Sequence, residues 1–201
     1  MNACAAQLLQ LPAPVILASA SPRRQQLITL LGIDVSVIPA AVDEDAFDRT
    51  MPRQYVEVLA QAKAAAVRRL HPESIVIGAD TTVVLDGQVL NKPLDRDDAV
   101  RMLRLLSGRT HTVITGVCVL WQKVRLVDSR ITHVTFRSLS EEEIAAYVAS
   151  GSPLDKAGAY GIQDDCGATF VDAIEGCYYT VVGLPIALLY RMLRLLRVFT
   201  R

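Results

Sequence analysis

From residue 14 onward the chain alternates helical apolar stripes with tight hairpin turns, a combination that a mixed sheet accommodates. A short buried strand over 14–19 leads through small residues into a helix: Ser21 is the N-cap, Pro22 the first helical position, Leu27, Leu30 and Leu31 the apolar stripe, and Gly32 the stop. "DVSVIPA" then alternates as a strand, an acidic loop "AVDEDAFDRT" follows, and a helix spans about 52–70 with Val56, Leu59 and the alanines inward. In "SIVIGADTTVVLDGQVLNKP" a continuous apolar run turns back at Asp86-Gly87, a strong hairpin signal. An Asp-capped helix over "LDRDDAVRMLRLLSG", strands over 112–120 and 124–137, a capping box of Ser140 and Glu143, a glycine-rich stretch, a hairpin over "TFVDAIEGCYYTVVG" and an amphipathic terminal helix complete the chain. Hairpins make antiparallel neighbours and helical crossovers make parallel ones. The expected class is therefore α/β, with a mixed, strongly twisted sheet flanked by helices.

Composition narrows the function. A chain of 201 residues with 51% hydrophobic and 21% charged residues supports a dense core, and no linker divides it, so residues 1–201 read as one domain. The formal net charge is zero and aromatics make up 5%, which argues against polymeric nucleic acid and anionic membranes as partners. Any anion site must be local. The four cysteines form no C-x-x-C pair, so reduced thiols and a cytoplasmic location are expected. The start lacks a basic region ahead of its apolar residues, and no apolar run reaches membrane-spanning length. The arginine-interrupted terminal stripe reads as a helix packed on the sheet, with a membrane-surface or partner helix as the alternative.

Candidate chemistry sits in a few places. Arg23 and Arg24 fall in the first turn of a helix, where each cation costs about 0.3–1 kcal/mol and an acid would help. Small residues entering a helix beside two guanidinium groups suit phosphate oxygens, although solvated arginines on an ordinary capped helix fit equally well. Asp80 follows a buried strand that would deliver it to the sheet edge, where α/β proteins bind ligands. With Asp43 and Glu44 it could hold a hard divalent cation; the alternative is that Asp80 caps a turn and Asp43-Glu44 is solvated loop. Lys63, Lys92 and Lys156 are individually ordinary, as lone lysines usually face solvent. In "DKAGAYGIQ" the glycines permit close approach to a ligand and Gln163 offers both donor and acceptor, which can read a base edge; a flexible loop is the alternative. Phosphate-loop, dinucleotide and hydrolase-elbow motifs are absent, and the three histidines are isolated, which speaks against a zinc site.

Taken in order, "LASASPRRQQLI", "VDE", "QAKA", "GADTTVVLDGQVLNKP", "AVRMLRLLSGRTHTVITGV", "VTFRSLSEEEIAAYV", "DKAGAYGIQ" and "VVGLP" resemble the Maf family of nucleotide pyrophosphatases. The resemblance covers essentially the whole chain except an extension over 1–13. It implies the sheet with a central cleft found in that family and in ITPase-like proteins, and cleavage of a nucleoside triphosphate between the α- and β-phosphates with Mg2+ or Mn2+. It implies Asp80 as proton acceptor, Ser21, Arg23, Arg24, Lys63 and Lys92 at the phosphates, and Glu44 with Asp80 at the metal. Arg24, Thr81 and Gln163 resemble the dTTP/UTP branch rather than the 7-methyl-GTP branch. Asn91 departs from the Glu or Gly common in relatives. A homodimer is a further expectation from the family. The rival readings are a nucleotide-binding regulator of cell division without turnover, and the same enzyme class with another preferred base, 7-methyl-GTP or a modified pyrimidine nucleotide.

Overall fold

The computed structural model describes residues 4–196; residues 1–3 and 197–201, the ends of the N-terminal extension and of the terminal helical pattern, lie outside the described residues. Among these residues the fold is α/β with a seven-stranded mixed sheet. Its strands are β1 (Val15–Leu17), β2 (Val35–Val37), β3 (Ile75–Leu85), β4 (Gln88–Leu90), β5 (Thr110–Trp121), β6 (Val124–Phe136) and β7 (Val171–Glu175), in the order β2-β1-β3-β5-β6-β7 with β4 also paired to β3. β1 is parallel to both β2 and β3, whereas β4 runs antiparallel to β3 and β7 antiparallel to β6. Crossovers and hairpins thus have the consequences expected of them. The helices are α1 (Cys4–Leu9), α2 (Pro22–Ile28), α3 (Pro52–Arg68), α4 (Arg96–Leu106), α5 (Glu141–Ala149), α6 (Asp165–Phe170), α7 (Tyr178–Val182) and α8 (Ile186–Leu196).

The chain groups into two compact units, one of residues 1–80, 115–130 and 183–201, the other of residues 81–114 and 131–182. In the first, α3 buries Tyr55, Val56, Leu59, Ala60, Lys63, Ala64 and Val67, and its alanines pack with Ile16, Val76 and Leu120. Two glycines let it come close. A Cβ on Gly78 would stand 2.1 Å from the Ala60 carbonyl oxygen, and one on Gly116 would stand 2.5 Å from that of Val56. The extension contributes α1, whose Leu9 is fully buried and which packs with α8. α8 turns Leu188, Leu189, Met192, Leu193 and Leu196 inward, so its apolar face is occupied.

In the second unit α4 packs with α5, and a ring cluster joins His111, Phe136, Tyr160, Phe170 and Tyr147. His111 Nε2 shares a 2.8 Å hydrogen bond with the Tyr160 hydroxyl, and burial lowers its pKa to about 4, which makes it a neutral structural residue. The hairpin expected over "TFVDAIEGCYYTVVG" does not form. β7 pairs instead with β6, and the second arm is helical, as α7. Thr132 of β6 captures Cys177: its Oγ1 accepts from the Cys177 N–H at 2.9 Å and donates to the Cys177 carbonyl at 3.1 Å. The apolar "YYTVV" run is therefore folded away from β7 into a turn of helix, despite its strand-like composition.

Replacing Gly116 by alanine should destabilise the protein by about 1–3 kcal/mol, because backbone rather than a movable side chain meets the new methyl. At this length each kcal/mol lowers Tm by roughly 2–4 °C. An unchanged calorimetric Tm would contradict the close approach of α3.

Candidate functional site

Where β1 ends, the chain keeps one further sheet-like contact, the Ala18 N–H to the Ile77 carbonyl at 2.7 Å, and then turns into α2. The Ser19 hydroxyl accepts from the Ser21 N–H at 3.2 Å, and Ser21 caps α2 by accepting from the Arg24 N–H at 3.5 Å. Arg23 and Arg24 are half-buried in that first turn. Arg24 is already partly engaged by the protein, since its Nε donates to the Gly183 carbonyl at 2.8 Å and its Nη1 to Ser19 Oγ at 3.3 Å. Burial lowers its pKa while Asp80 raises it, and a guanidinium in this setting stays charged. Neither is a freely solvated arginine.

Lys63 occupies the inner stripe of α3 and is 9% exposed. Its Nζ lies 2.7 Å from Asp80 Oδ1 and 2.7 Å from Glu44 Oε1, so one ammonium joins two carboxylates. Asp80 is 6% exposed. Burial pushes its carboxyl above the ordinary aspartate range; Lys63 and Arg24 oppose that shift, and Glu44 reinforces it. Asp80 does not sit at a strand end as expected, for β3 continues through it to Leu85. What ends is its neighbour: the β1 register stops at Leu17 opposite Ile77, and β4 pairs only from Val83, so Asp80 stands just beyond the carboxyl end of β1. Glu44 opens a 3-10 turn that Asp43 caps by accepting from the Asp45 N–H at 3.1 Å, which gives Asp43 a structural task and leaves Glu44 to reach Lys63.

Ser21, Arg23, Arg24, Glu44, Lys63 and Asp80 all belong to the first unit, and Thr81, Lys92 and Gln163 to the second. Thr81 is half-buried and follows Asp80 in β3, while Lys92 and Gln163 are exposed. Asn91, the departure from the family pattern, ties its segment to the "DKAGAYGIQ" loop: its carbonyl accepts from the Gly158 N–H at 3.1 Å, and its side chain accepts from Thr82 Oγ1 at 3.4 Å. That loop is built rather than loose, with Gly158 and Ala159 both at positive φ and a Cβ on Gly158 blocked by Val83 at 2.9 Å. Lys156 is not solvent-facing as a lone lysine would be. It is 7% exposed, with Nζ 2.8 Å from Asp155 and 3.1 Å from Asp164.

A family model described as Maf-like protein matches residues 14–196. The chain belongs to the Maf family. Among its relatives, a dTTP/UTP pyrophosphatase of Syntrophomonas wolfei is 51% identical over 179 residues, which cover 88% of this chain and 94% of that protein. One of Koribacter versatilis is 51% identical over 180 residues, 90% of this chain and 93% of its own, and one of Aquifex aeolicus 49% over 180 residues, 90% and 94%. The match of this Maf chain starts where the N-terminal extension ends.

Among the described residues no group of three or more His, Cys, Asp or Glu side chains gathers as a metal cage. Two carboxylates do converge, Glu44 and Asp80, and magnesium-type ions are commonly held by one or two carboxylates with phosphate and water oxygens completing the shell. The donor set of this Maf protein fits such an ion when a phosphate is present.

Lys63→Met should cost on the order of 3 kcal/mol near pH 7, where it leaves Asp80 buried as an anion. Raising a folded-state carboxyl pKa removes stability only above the unfolded value, so the penalty shrinks as pH falls toward 4. Urea melts at both pH values check this; an equal penalty at the two would contradict the pairing.

Proposed function

We infer that this protein is a nucleoside triphosphate pyrophosphatase that converts dTTP and UTP to the monophosphate and pyrophosphate. The observation that carries the reading is the Lys63 ammonium held between Asp80 and Glu44, with Arg24 close enough to influence the same carboxylate. The dTTP/UTP pyrophosphatases that cover nine-tenths of the chain at about half identity support the substrate.

A triphosphate tail carries nearly four negative charges, and each cation at about 4 Å contributes roughly 4 kcal/mol at a surface-like dielectric. Ser21, Arg23, Arg24, Lys63 and Lys92 bind and orient that tail. Water attacks the α-phosphorus; a P–O bond forms from its oxygen, the bond from the α-phosphorus to the bridging oxygen breaks, and pyrophosphate leaves with the negative charge. Asp80 orients the water and takes its proton. An ordinary aspartate, with a pKa of about 3.9, is a weak base at pH 7, and burial moves Asp80 in the useful direction. A divalent cation, Mg2+ or Mn2+, held by Glu44 and Asp80 with phosphate oxygens would offset the charge of the leaving pyrophosphate and acidify nearby water. Thr81 and Gln163 meet the carbonyls and the single N–H of uracil or thymine.

The remaining expectations are proposals of the same reading. Both units act as one domain, and the protein works in the cytoplasm on a free nucleotide as a homodimer. Among the described residues no helix is long and apolar enough to cross a membrane.

Pyrophosphate release from dTTP, UTP, dCTP and 7-methyl-GTP with magnesium or manganese tests the substrate. Release from dTTP and UTP is expected; preference for the methylated purine, or binding without release, would overturn it. Asp80→Asn should lower kcat by about 10²–10⁴-fold with nucleotide affinity kept within several-fold. Near-normal turnover would remove Asp80 from its role. Arg24→Ala should lower kcat/KM mainly through KM, and unchanged kinetics would confine Arg24 to its contacts with Gly183 and Ser19.

A further inference from the structure

Gln163 is exposed, yet its amide has a fixed orientation. Its Nε2 donates to Asp164 Oδ1 at 2.9 Å, and only the nitrogen of an amide can meet a carboxylate. Asp164 is itself clamped. Its other oxygen, Oδ2, accepts from Ser152 Oγ at 2.8 Å and Tyr147 Oη at 3.0 Å and lies 3.1 Å from Lys156 Nζ. Partial burial alone would raise its carboxyl, but these donors outweigh burial and hold it below the ordinary aspartate range. Because all three donors converge on Oδ2, Oδ1 is left for Gln163. Gly161 keeps the space open, since a Cβ there would stand 2.6 Å from Asp164 Oδ2 and 2.8 Å from Gln163 Nε2.

With one N–H committed to Asp164, the amide presents Oε1 and its second N–H in a fixed order. Uracil and thymine offer the complementary pair, N3–H as donor and O4 as acceptor. Cytosine inverts both, with a lone pair on N3 and an amine at C4. A Gln able to rotate by half a turn would accept either base. We propose that Asp164 is a positioning residue that locks the Gln163 amide against that rotation and so excludes cytosine nucleotides. This rests on the assignment of Gln163 to the base in the proposed function.

Asp164→Asn tests it. Three donors converge where Oδ2 stood, so the asparagine carbonyl must take that place and its Nδ2 must face Gln163. The Gln163 amide then turns Oε1 inward and presents the order that cytosine needs. The ratio of kcat/KM for dTTP to that for dCTP should fall by on the order of tenfold or more, with a gain on dCTP as well as a loss on dTTP. General damage to packing lowers both rates together and leaves the ratio unmoved. A folded Asp164→Asn protein with the wild-type ratio would overturn the assignment. If that variant does not fold, Asp164→Ala, which releases the Gln163 amide to turn and accept either base, is held to the same criterion. The wild-type control separates the two levels: no pyrophosphate from dTTP or UTP overturns the proposed function and this inference with it, whereas normal discrimination in wild type and an unchanged ratio in the variants overturns only the role of Asp164.

Discussion

A single ammonium set between two carboxylates is the contact on which the proposed chemistry depends. Asp80 is too buried to be carried as an isolated anion, and Lys63, on the buried face of α3, supplies the compensating charge while also drawing in Glu44. The helix can deliver that charge only because Gly78 and Gly116 let its backbone lie against the strands. Packing and electrostatics are therefore one problem here. Arg23, Arg24 and Lys63 against Asp80 and Glu44 leave a formal excess of one positive charge. A nucleotide tail far exceeds that, which is why the proposed chemistry calls for a divalent cation in addition to the protein's own groups.

The second unit works by rigidity. Its loop from Gly158 to Asp164 is held by the Asn91 carbonyl at Gly158, by the His111–Tyr160 hydrogen bond, and by a carboxylate whose two oxygens have separate duties. In the proposed reading, polar groups restrained in this way discriminate among bases more sharply than mobile ones, because a wrong base leaves them unpaired. The same loop places Ala159 at φ 60°, a conformation rarely adopted by residues with a side chain, and the contacts around it maintain that conformation.

Much of this was legible in the chain because it is local. The Asp86-Gly87 turn, the caps at Ser21, Asp95 and Ser140, and the Gly32 stop each act within a few residues, and each forms as expected. Lys63 had a clearer signal than its residue type suggests, for it shares the inner stripe with Val56, Leu59, Ala60 and Val67, where a lysine needs a buried partner. What local patterns could not supply was long-range pairing. "YYTVV" looks like a strand until Thr132 captures Cys177, Arg24 looks solvated until the Gly183 carbonyl arrives from 159 residues away, and nothing near Lys156 announces Asp164 as its partner. Asp80 pairs with Lys63, and its place is set by where β1 stops rather than by the end of its own strand.

The most direct test of the central claim is a crystal structure with magnesium and a dTTP analogue whose α–β bridge resists hydrolysis. The account predicts phosphate oxygens on Lys63 and Arg24, and the Asp80 carboxylate hydrogen-bonded to a water in line with the α-phosphorus. A polyphosphate bound elsewhere, with Asp80 still closed against Lys63 and no water between it and phosphorus, would contradict it.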